Sequence, residues 1–534
     1  MLIYTKNLSL KPQTRGDTGV KLNQLKIGSL LSYFNMFLNI AISLLYTPFM
    51  LNILGQSEYG LYSTVSATIS MLGVLNLGFT GSYVRYFMKY KINNDEDSLA
   101  KLNGLFMLIF SAIGAIALVC GLFLSNNLGM VFDTGLTASE YETAKKLMII
   151  LSFNMAVSFP MSVFQNIITA HEKYLFFKLF GIIKTLSGPM ITIPLLLSGF
   201  GSVALVTSTV VLALVTDIVY LVYAKKFLHA RFSFRKIPNE LFKSVFTFSF
   251  FIAVHLIVDQ VNSNVDKVIL GRFLGTEAVA VYAVGFSLHH YYMLFSTAIS
   301  HVFTPRVHKI INETKNQLIL QKERLTDLFV RVGRIQSLIV FLIASGLVFF
   351  GKQFIYLWVG KEYDLSYYVT IMLVLSSTID VIQNIGIEVQ RGLNRHGFRS
   401  LVYLVMALIN IGLTVVLCQK YGVIGATVGT AIAYLFVNGL VINIYYHKKC
   451  SLDIFVFWKS ILRLSLGLII PCVAGIMINI FWEMSSYLTL AIGILIYTFT
   501  YCISMWFIGM NGYERNLVLV PARKIIKKLP FPKK

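Results

Sequence analysis

Residues 102–124 read LNGLFMLIFSAIGAIALVCGLFL and contain no charged side chain. A helix that crosses the hydrocarbon core of a bilayer needs about 20 predominantly apolar residues, and this run meets that requirement. The chain contains fourteen such runs, which predict an all-α, polytopic membrane protein of about 14 transmembrane helices. Their approximate positions are 27–51, 61–84, 102–124, 147–168, 176–198, 202–224, 244–270, 277–303, 332–350, 366–388, 400–418, 424–445, 460–482 and 487–508.

The overall composition agrees with this interpretation. Only 13% of the 534 residues are charged, 56% are hydrophobic, and the mean hydropathy is +0.72. A soluble protein carries about 25% charged residues. The net charge of +22 would suit a nucleic-acid ligand, but membrane proteins concentrate Lys and Arg in their cytoplasmic loops. We therefore expect no nucleic-acid partner.

The distribution of basic residues predicts the orientation. If the N-terminus is cytoplasmic, the inner segments hold 38 Lys and Arg residues and the outer loops hold 7. This asymmetry predicts a multi-pass protein of the cytoplasmic membrane with both termini in the cytoplasm. The first 26 residues are polar and lack an adjoining cleavage site, so we expect the first apolar run to be an uncleaved signal anchor.

Sequence motifs give no sign of an enzyme. The five cysteines are scattered without a CxxC or metal-ligand spacing, so neither disulfides nor a metal site is expected. The chain has no P-loop, no GxSxG motif and no HExxH motif. We predict a non-enzymatic protein without an organic cofactor.

An internal repeat is visible in the loop residues. The matched positions are Gly55 and Tyr62 with Gly275 and Tyr282 at an offset of 220, Gly201 with Gly422 at 221, and residues 170–173 with 393–396 at a similar offset. Six helices separate the copies, so both copies insert in the same direction. This predicts two six-helix lobes related by a pseudo-two-fold axis along the membrane normal, with two further helices after them.

The repeat and the charge pattern together suggest the domain boundaries. The predicted segments are a cytoplasmic N-terminal tail at 1–26, an N-lobe at 27–224, a cytoplasmic linker at 225–243, a C-lobe at 244–445, helices thirteen and fourteen at 446–508, and a basic cytoplasmic C-terminal tail at 509–534.

The seventh run has an unusual polar stripe. His255, Asp259, Asn262 and Asp266 follow at spacings of four, three and four, which places them on one helical face. Ionisable groups inside a membrane usually face a cavity or a partner, although polar side chains can also only join helices. Asp266 lies near the outer end of the run, where we expect solvent around it. His255 and Asp259 are the stronger cavity candidates.

Other polar residues in apolar runs are additional candidates for a substrate cavity. They are Lys184, Asp217, Asp380, Gln383, Asn384 and Asn410. Lys184 either meets an anionic substrate or pairs with Asp217, and the sequence leaves both interpretations open.

Four prolines fall inside apolar runs of the first half. Proline removes a backbone donor and bends a helix, so these residues are candidate hinges for an opening motion. Packing is the alternative explanation. The four are Pro48, Pro160, Pro189 and Pro194.

Two stretches resemble a known family. They are YTPFMLNILG at 46–55, followed by EYGLY at 58–62, and DKVILGRFLG at 266–275, followed by Val281 and Tyr282. The chain resembles the Wzx-type polysaccharide flippases of the multidrug/oligosaccharidyl-lipid/polysaccharide exporter (MOP) superfamily, which also includes the lipid II flippases and the MATE drug exporters.

The resemblance implies two lobes around a central cavity and transport by alternating access. It implies an undecaprenyl-pyrophosphate-linked oligosaccharide as substrate, moved from the inner to the outer leaflet of a bacterial cytoplasmic membrane for surface polysaccharide biosynthesis. It also implies coupling to an ion such as Na⁺ or H⁺, and we select Asp259 as the coupling-ion candidate. Membrane lipids and other polysaccharide-assembly proteins are the expected partners.

Other functions remain open at this stage. A MATE-type drug/cation antiporter shares the predicted architecture. A membrane-embedded polysaccharide polymerase or ligase needs a sizeable outer loop, and the longest here has about 22 residues, at 125–146. A scaffold that recruits assembly proteins without transport is a further alternative.

Overall fold

The computed structural model describes the backbone of residues 24–132, 136–235 and 237–526. Within these ranges the side chains at 24–30, 248, 250–252, 254, 255, 298, 301, 396 and 521–526 are outside the description. The described chain is helical and contains no β-strand. The first six helices are α1 (Gln24–Met71), α2 (Phe79–Ile92), α3 (Glu96–Asn126), α4 (Ala138–Ala170), α5 (Tyr174–Leu197) and α6 (Gly201–Lys226).

The second half of the chain continues the bundle. Its next helices are α7 (Asn239–Phe273), α8 (Thr276–Glu313), α9 (Leu318–Val359), α10 (Asp364–Ile382), α11 (Ile385–Gly392), α12 (His396–Tyr434) and α13 (Ile442–Lys449). The last are α14 (Ile454–Ser465), α15 (Ile469–Phe481), α16 (Tyr487–Ser504) and α17 (Gly512–Ile526). A π-helical segment, Leu435–Val441, joins α12 to α13.

The number of membrane spans agrees with the sequence. Eleven segments of the described chain are long and apolar enough to cross a membrane. Two of these, Leu31–Ile92 and Gly397–Lys449, reverse direction at a glycine and cross twice. α7 is not among the eleven because several of its side chains lie outside the described residues, but its 35 residues are long enough to span. The two segments that cross twice add two spans and α7 adds a third, so that the eleven segments and α7 together give fourteen spans.

Each reversal takes place at a glycine with positive φ, a conformation that costs glycine little. In α1 the reversal is at Gly55 (φ 75°), so that residues 24–54 and 56–71 form two arms. On the first arm Phe37 packs against Phe295 of α8 at 5.9 Å between ring centroids, whereas Gly60 on the second arm lies against Thr276 at the start of α8. In α12 the reversal is at Gly422 (φ 62°).

The turns of the sequence repeat have matching backbone conformations. Gly55 and Gly275 have φ/ψ of 75°/172° and 86°/−179°. In the turns at 170–173 and 393–396, Glu172 and Asn394 have φ of 57° and 56°, one residue away from the register of the sequence match. Gly201 matches the Gly422 reversal with φ of 63°. Equivalent turns therefore fold alike, as a structural repeat requires, while the exact lobe boundaries stay a prediction.

The bundle has an outer end and an inner end. The outer end holds Gly55, Gly201, Gly275 and Gly422, and the inner end holds the turns that follow Ile92, Ala170 and Lys226.

The two halves meet along a seam formed by α1 and α2 on one side and α7 and α8 on the other. At the outer end the hydroxyls of Ser57 and Thr276 lie 2.9 Å apart, and the Gln56 side-chain amide donates to the carbonyl of Glu277 at 3.5 Å. Nearer the inner end the hydroxyls of Ser82 and Ser249 lie 2.6 Å apart. The seam is therefore in contact near both ends in this conformation.

Several predicted runs differ in detail from the helices. The tenth run is broken at Gln383 and Asn384, because the helix ends at Ile382 and α11 begins at Ile385. The second run is interrupted after the 3₁₀ segment Leu72–Asn76, where Leu77 and Gly78 both have positive φ. Residues 304–331, expected to be a loop, are instead mostly helical, because α8 continues to Glu313 and α9 begins at Leu318.

A buried ion pair attaches the C-terminal helix to the bundle. Arg334 of α9 and Glu514 of α17 are 5% and 3% exposed, and two hydrogen bonds of 2.5 and 2.9 Å join them. Arg334 also donates to the backbone carbonyls of Ser460 and Gly509, at 2.7 and 2.8 Å. This one guanidinium thus joins α9 to α14, to the end of the membrane span of α16, and to α17.

Candidate functional site

The most buried acidic side chain of the polar stripe is Asp266 of α7. It is 2% exposed and accepts hydrogen bonds from the hydroxyls of Tyr282 at 2.6 Å, Thr430 at 2.7 Å and Thr414 at 3.3 Å. The expectation that Asp266 is surrounded by solvent is wrong. Its level on α7 is near the outer end, but Tyr282 of α8 and both arms of α12 cover it.

The reversal at Gly422 explains how α12 supplies two of these donors. Thr414 and Thr430 lie eight residues before and eight residues after that glycine. A tight helical hairpin places such positions at the same depth. The close approach of the arms also requires a glycine at 425, where an added Cβ would lie 2.0 Å from the Leu417 carbonyl oxygen.

Asn410, which the sequence analysis gave as a candidate cavity residue, completes this cluster. It is 2% exposed, and its side-chain amide donates to the Thr430 hydroxyl at 3.3 Å. Its carbonyl oxygen lies 3.4 Å from the Thr414 hydroxyl. We call Asp266, Tyr282, Asn410, Thr414 and Thr430 the Asp266 cluster.

The chemistry of the cluster suits a small cation. Its oxygen atoms belong to carboxylate, hydroxyl and amide groups, which are the ligands that hard cations prefer. A carboxylate is costly to bury in a membrane, and among the described residues no basic group lies within 4.0 Å of Asp266. The charge of Lys267, the next residue, acts on the carboxylate electrostatically without forming an ion pair. A proton or a small metal ion at the carboxylate would remove that cost.

A small cavity adjoins the cluster on its inner side. It has a volume of about 20 Å³, and its lining includes Asn262, Asn410, Thr430, Tyr434 and Asn438. This is enough space for one water molecule. Asn262 of the predicted stripe therefore faces a small cavity next to Asp266, whose lining combines these polar residues with apolar ones such as Met406 and Val437.

The first half contains a related cluster without the carboxylate. At offsets of 220 and 222 from Asp266, Thr414 and Thr430 stand Tyr46, Thr192 and Ser208. The hydroxyls of Thr192 and Ser208 lie 3.1 Å apart, and Tyr46 lies against Thr192. The repeat thus conserves the hydroxyl pair between its copies, but only the second copy has an acidic residue. Of the two copies, only the second therefore has an acidic ligand of the kind that suits a cation.

Asp380, another sequence candidate, has a basic partner. Arg399 of α12 donates to its carboxylate at 3.1 Å and to the hydroxyl of Tyr403 at 2.7 Å. Gln383, two per cent exposed, donates to Asn443 at 2.8 Å, an interaction that joins helices. Asn384 is half-buried at the break between α10 and α11.

Lys184 and Asp217 are brought near each other, on α5 and α6. The lysine charge is close enough to act electrostatically on Asp217, but no ion pair within 4.0 Å joins them among the described contacts. Lys184 is exposed and Asp217 is half-buried. One oxygen of Asp217 is buried without a hydrogen-bond partner in the described chain. Lys184 thus remains accessible to an anionic ligand.

The two remaining ionisable residues of the stripe are Asp259 and His255. Asp259 is exposed, and its charge acts on Tyr434, which lines the small cavity. The His255 side chain lies outside the described residues.

All four candidate hinge prolines lie inside helices, Pro48 in α1, Pro160 in α4, and Pro189 and Pro194 in α5. Their role as hinges stays a prediction.

Sequence reasoning missed Tyr282, Thr414, Thr430 and Arg399 as site residues. The equal spacing of the two threonines from Gly422 is a signal that would have found them, once that glycine was assigned to a tight hairpin. Arg399 lies at the inner end of the eleventh run, where a basic residue is usual. Its pairing with Asp380 depends on how α10 packs on α12, which no local pattern reports.

The sequence matches a family model described as "Polysaccharide biosynthesis protein" over residues 28–311. A putative O-antigen transporter of Shigella flexneri is 21% identical over 74% of this chain and 92% of that protein. The probable low-salt glycan biosynthesis flippase Agl15 of Haloferax volcanii is 24% identical over 36% of this chain and 39% of that protein.

The fold matches that of a solved transporter. The lipid II flippase MurJ in an inward closed conformation aligns with a TM-score of 0.67, 16% sequence identity, and coverage of 92% of this chain and all of that one. At this identity the likeness shows a common fold.

Proposed function

The chain belongs to the polysaccharide biosynthesis protein family, whose model covers more than half of it, and on that basis we propose that it is a flippase for lipid-linked oligosaccharides. The observation that carries the proposal is the match to the O-antigen transporter over 92% of that protein's length. The glycan flippase of Haloferax volcanii supports the same substrate class. We expect transport without a chemical step.

The proposed cargo is an undecaprenyl-pyrophosphate-linked oligosaccharide, moved from the inner to the outer leaflet of a bacterial cytoplasmic membrane. The excess of basic residues in the segments at the inner end supports an orientation with both termini in the cytoplasm. Lys184 is a candidate contact for the pyrophosphate because it is an exposed cation within a membrane span.

We further propose that a cation bound at the Asp266 cluster drives the cycle. A buried carboxylate held by three hydroxyls is stable when it carries Na⁺ or H⁺ and costly when it carries neither. Because the ligands come from α7, α8 and both arms of α12, loading and release change the packing of helices in the second half. Asp266 thus replaces Asp259 as our coupling candidate.

A direct test of the substrate class follows a fluorescent undecaprenyl-pyrophosphate oligosaccharide between leaflets of liposomes that contain the purified protein. We expect protein-dependent transfer of this lipid and no transfer of a lipophilic drug cation under the same gradient. Drug transport without glycolipid transfer would instead indicate an antiporter of the MATE type. Failure of both, with folded protein, would favour a scaffold.

The seam at the outer end offers a test of alternating access. At Gly60 an added Cβ would lie 1.8 Å from the backbone oxygen of Thr276, so the second arm of α1 and the start of α8 cannot approach as closely with alanine there. We expect Gly60→Ala to separate the outer ends and favour an outward-open state. The cross-link between cysteines at positions 56 and 277, in a background without the native cysteines, should become several-fold slower.

The matched control for this prediction is Gly188→Ala, because a Cβ at Gly188 in α5 meets no atom within 4 Å. That variant should cross-link as the wild type does. An unchanged cross-linking rate in Gly60→Ala would mean that the contact does not hold the outer end closed.

A further inference from the structure

A cavity of about 620 Å³ lies at the inner end, apart from the Asp266 cluster. It is formed by the end of α8, the start of α9 and Tyr513 of α17. Six charged side chains line it, namely Arg306, Lys309, Glu313, Arg324, Asp327 and Arg331. A cavity of this size is in the range of small-molecule sites.

The cavity has an excess of positive charge. Glu313 accepts from Arg324 at 3.5 Å and lies 3.7 Å from Lys309, and Asp327 accepts from Arg331 at 2.8 Å. Arg306 has no acidic partner among the described residues. Four basic groups therefore face two acidic ones, and two positive charges are left over for an anionic ligand.

The flanking apolar runs place two arginines of the cavity at the level expected for the phosphate layer of a bilayer. Arg306 is the third residue after the apolar run 277–303, and Arg331 directly precedes the run 332–350. With a rise of about 1.5 Å per helical residue, both lie within roughly 5 Å of the ends of those runs. Lys309 and Arg324 lie farther from the apolar runs.

The cavity is built by the second half of the chain alone. Its lining residues all belong to α8, α9 and α17, and none belongs to the first half. Of these helices, α8 also borders the seam between the halves. Arg331 stacks on the Tyr513 ring at 5.0 Å, and the next residue, Glu514, is fixed by Arg334. A ligand in the cavity would contact the docked C-terminal helix.

We propose that this cavity binds the phosphate headgroup of an anionic phospholipid from the inner leaflet. Arg306 and Arg331 hold the phosphate, and Lys309 and Arg324 line the space for the remainder of the headgroup. Basic pockets at the cytoplasmic side of transmembrane helices are known to take such headgroups. The bound lipid stabilises the packing of α17 against α8 and α9.

The test is a binding measurement, so its result does not depend on the proposed transport function. Purified full-length protein in neutral detergent is titrated with phosphatidylglycerol, and bound lipid is counted by native mass spectrometry. Parallel titrations use phosphatidylcholine and an undecaprenyl-pyrophosphate oligosaccharide, and inorganic phosphate is added as a competitor. We expect retention of phosphatidylglycerol in preference to phosphatidylcholine.

The variants test the site itself. Each basic residue near an anionic headgroup contributes about fivefold in affinity, so Arg306→Gln with Arg331→Gln should weaken binding about 30-fold. The matched control, Lys315→Gln with Lys322→Gln, removes the same charge from the same helical hairpin outside the cavity and should bind as the wild type does. Arg306→Gln alone, which breaks no ion pair, should weaken binding about fivefold.

Three outcomes would overturn the assignment. Equal weakening of phosphatidylglycerol binding in the cavity variant and in its control would mean that binding depends only on the net charge of the protein. Displacement of the lipid by an equal concentration of inorganic phosphate would indicate a site for soluble phosphate. Tighter binding of the undecaprenyl-linked oligosaccharide than of phosphatidylglycerol, lost in the cavity variant, would assign the cavity to the cargo.

Discussion

Replacement of Asp266 by asparagine is expected to reduce gradient-driven transport to its passive level in a protein that still folds. Asparagine keeps the size of the side chain and can still accept from some of its three hydroxyl partners. It carries no charge, so it neither takes up a proton nor attracts a metal cation. An ion gradient can bias the conformational cycle only through a site whose affinity differs between states, and this variant lacks that site.

Two comparison variants make the Asp266 prediction specific. Asp259→Asn removes an exposed acidic residue about two turns away on the same helix and should keep gradient-driven transport. Thr430→Val removes one hydroxyl ligand and should raise the cation concentration needed for half-maximal transport. Full gradient-driven transport by Asp266→Asn, or its loss only in Asp259→Asn, would show that the coupling carboxylate is not Asp266.

Replacement of Glu514 by glutamine is expected to be the most destabilising single change outside the Asp266 cluster. The change leaves the Arg334 charge buried without its partner, and breaking a buried ion pair in this way costs about 3–5 kcal/mol. Because Arg334 also bonds to the carbonyls of Ser460 and Gly509, the loss should loosen α14 and the end of α16 together with α17.

The measurement for Glu514→Gln is the thermal stability of the purified protein together with the rate of proteolysis within α17. The double replacement Arg334→Met/Glu514→Leu should recover much of the stability, because it leaves no unpaired charge. Asp97→Asn, which breaks the exposed pair with Lys101, should change stability by less than about 1 kcal/mol. If Glu514→Gln is no less stable than Asp97→Asn, the pair does not hold the C-terminal helix.

Much of the fold could be predicted from the sequence because a bilayer imposes simple requirements on it. Apolar length alone locates most spans, and the loop glycines at 55, 201, 275 and 422 already mark the repeat that their backbone conformations share. Sequence could not place the breaks at Gln383 and at Leu77, because apolar residues continue on both sides of each break. Nor did it show that α8 and α9 continue as helices beyond the membrane.

The candidate site was only partly predictable for a related reason. The polar stripe of α7 singled out the helix that carries the proposed site, but the choice between Asp259 and Asp266 depended on what covers each of them. That cover comes from Tyr282, sixteen residues away from Asp266, and from Thr414 and Thr430, about 150 residues away. The Arg334–Glu514 pair spans 180 residues. Its one local sign is that Glu514 is the only acidic residue in an otherwise basic tail.

The most direct test of the account is the initial rate of glycolipid transfer in liposomes that contain wild-type protein, Asp266→Asn or Asp259→Asn. Each is measured with an imposed Na⁺ or H⁺ gradient and again after an ionophore collapses it. We predict that the gradient accelerates transfer in the wild type and in Asp259→Asn, and that the Asp266→Asn rate is low and unaffected by the ionophore. A wild-type transfer rate that depends on neither gradient, or an Asp266→Asn rate that still depends on one, would contradict cation-driven flipping through Asp266.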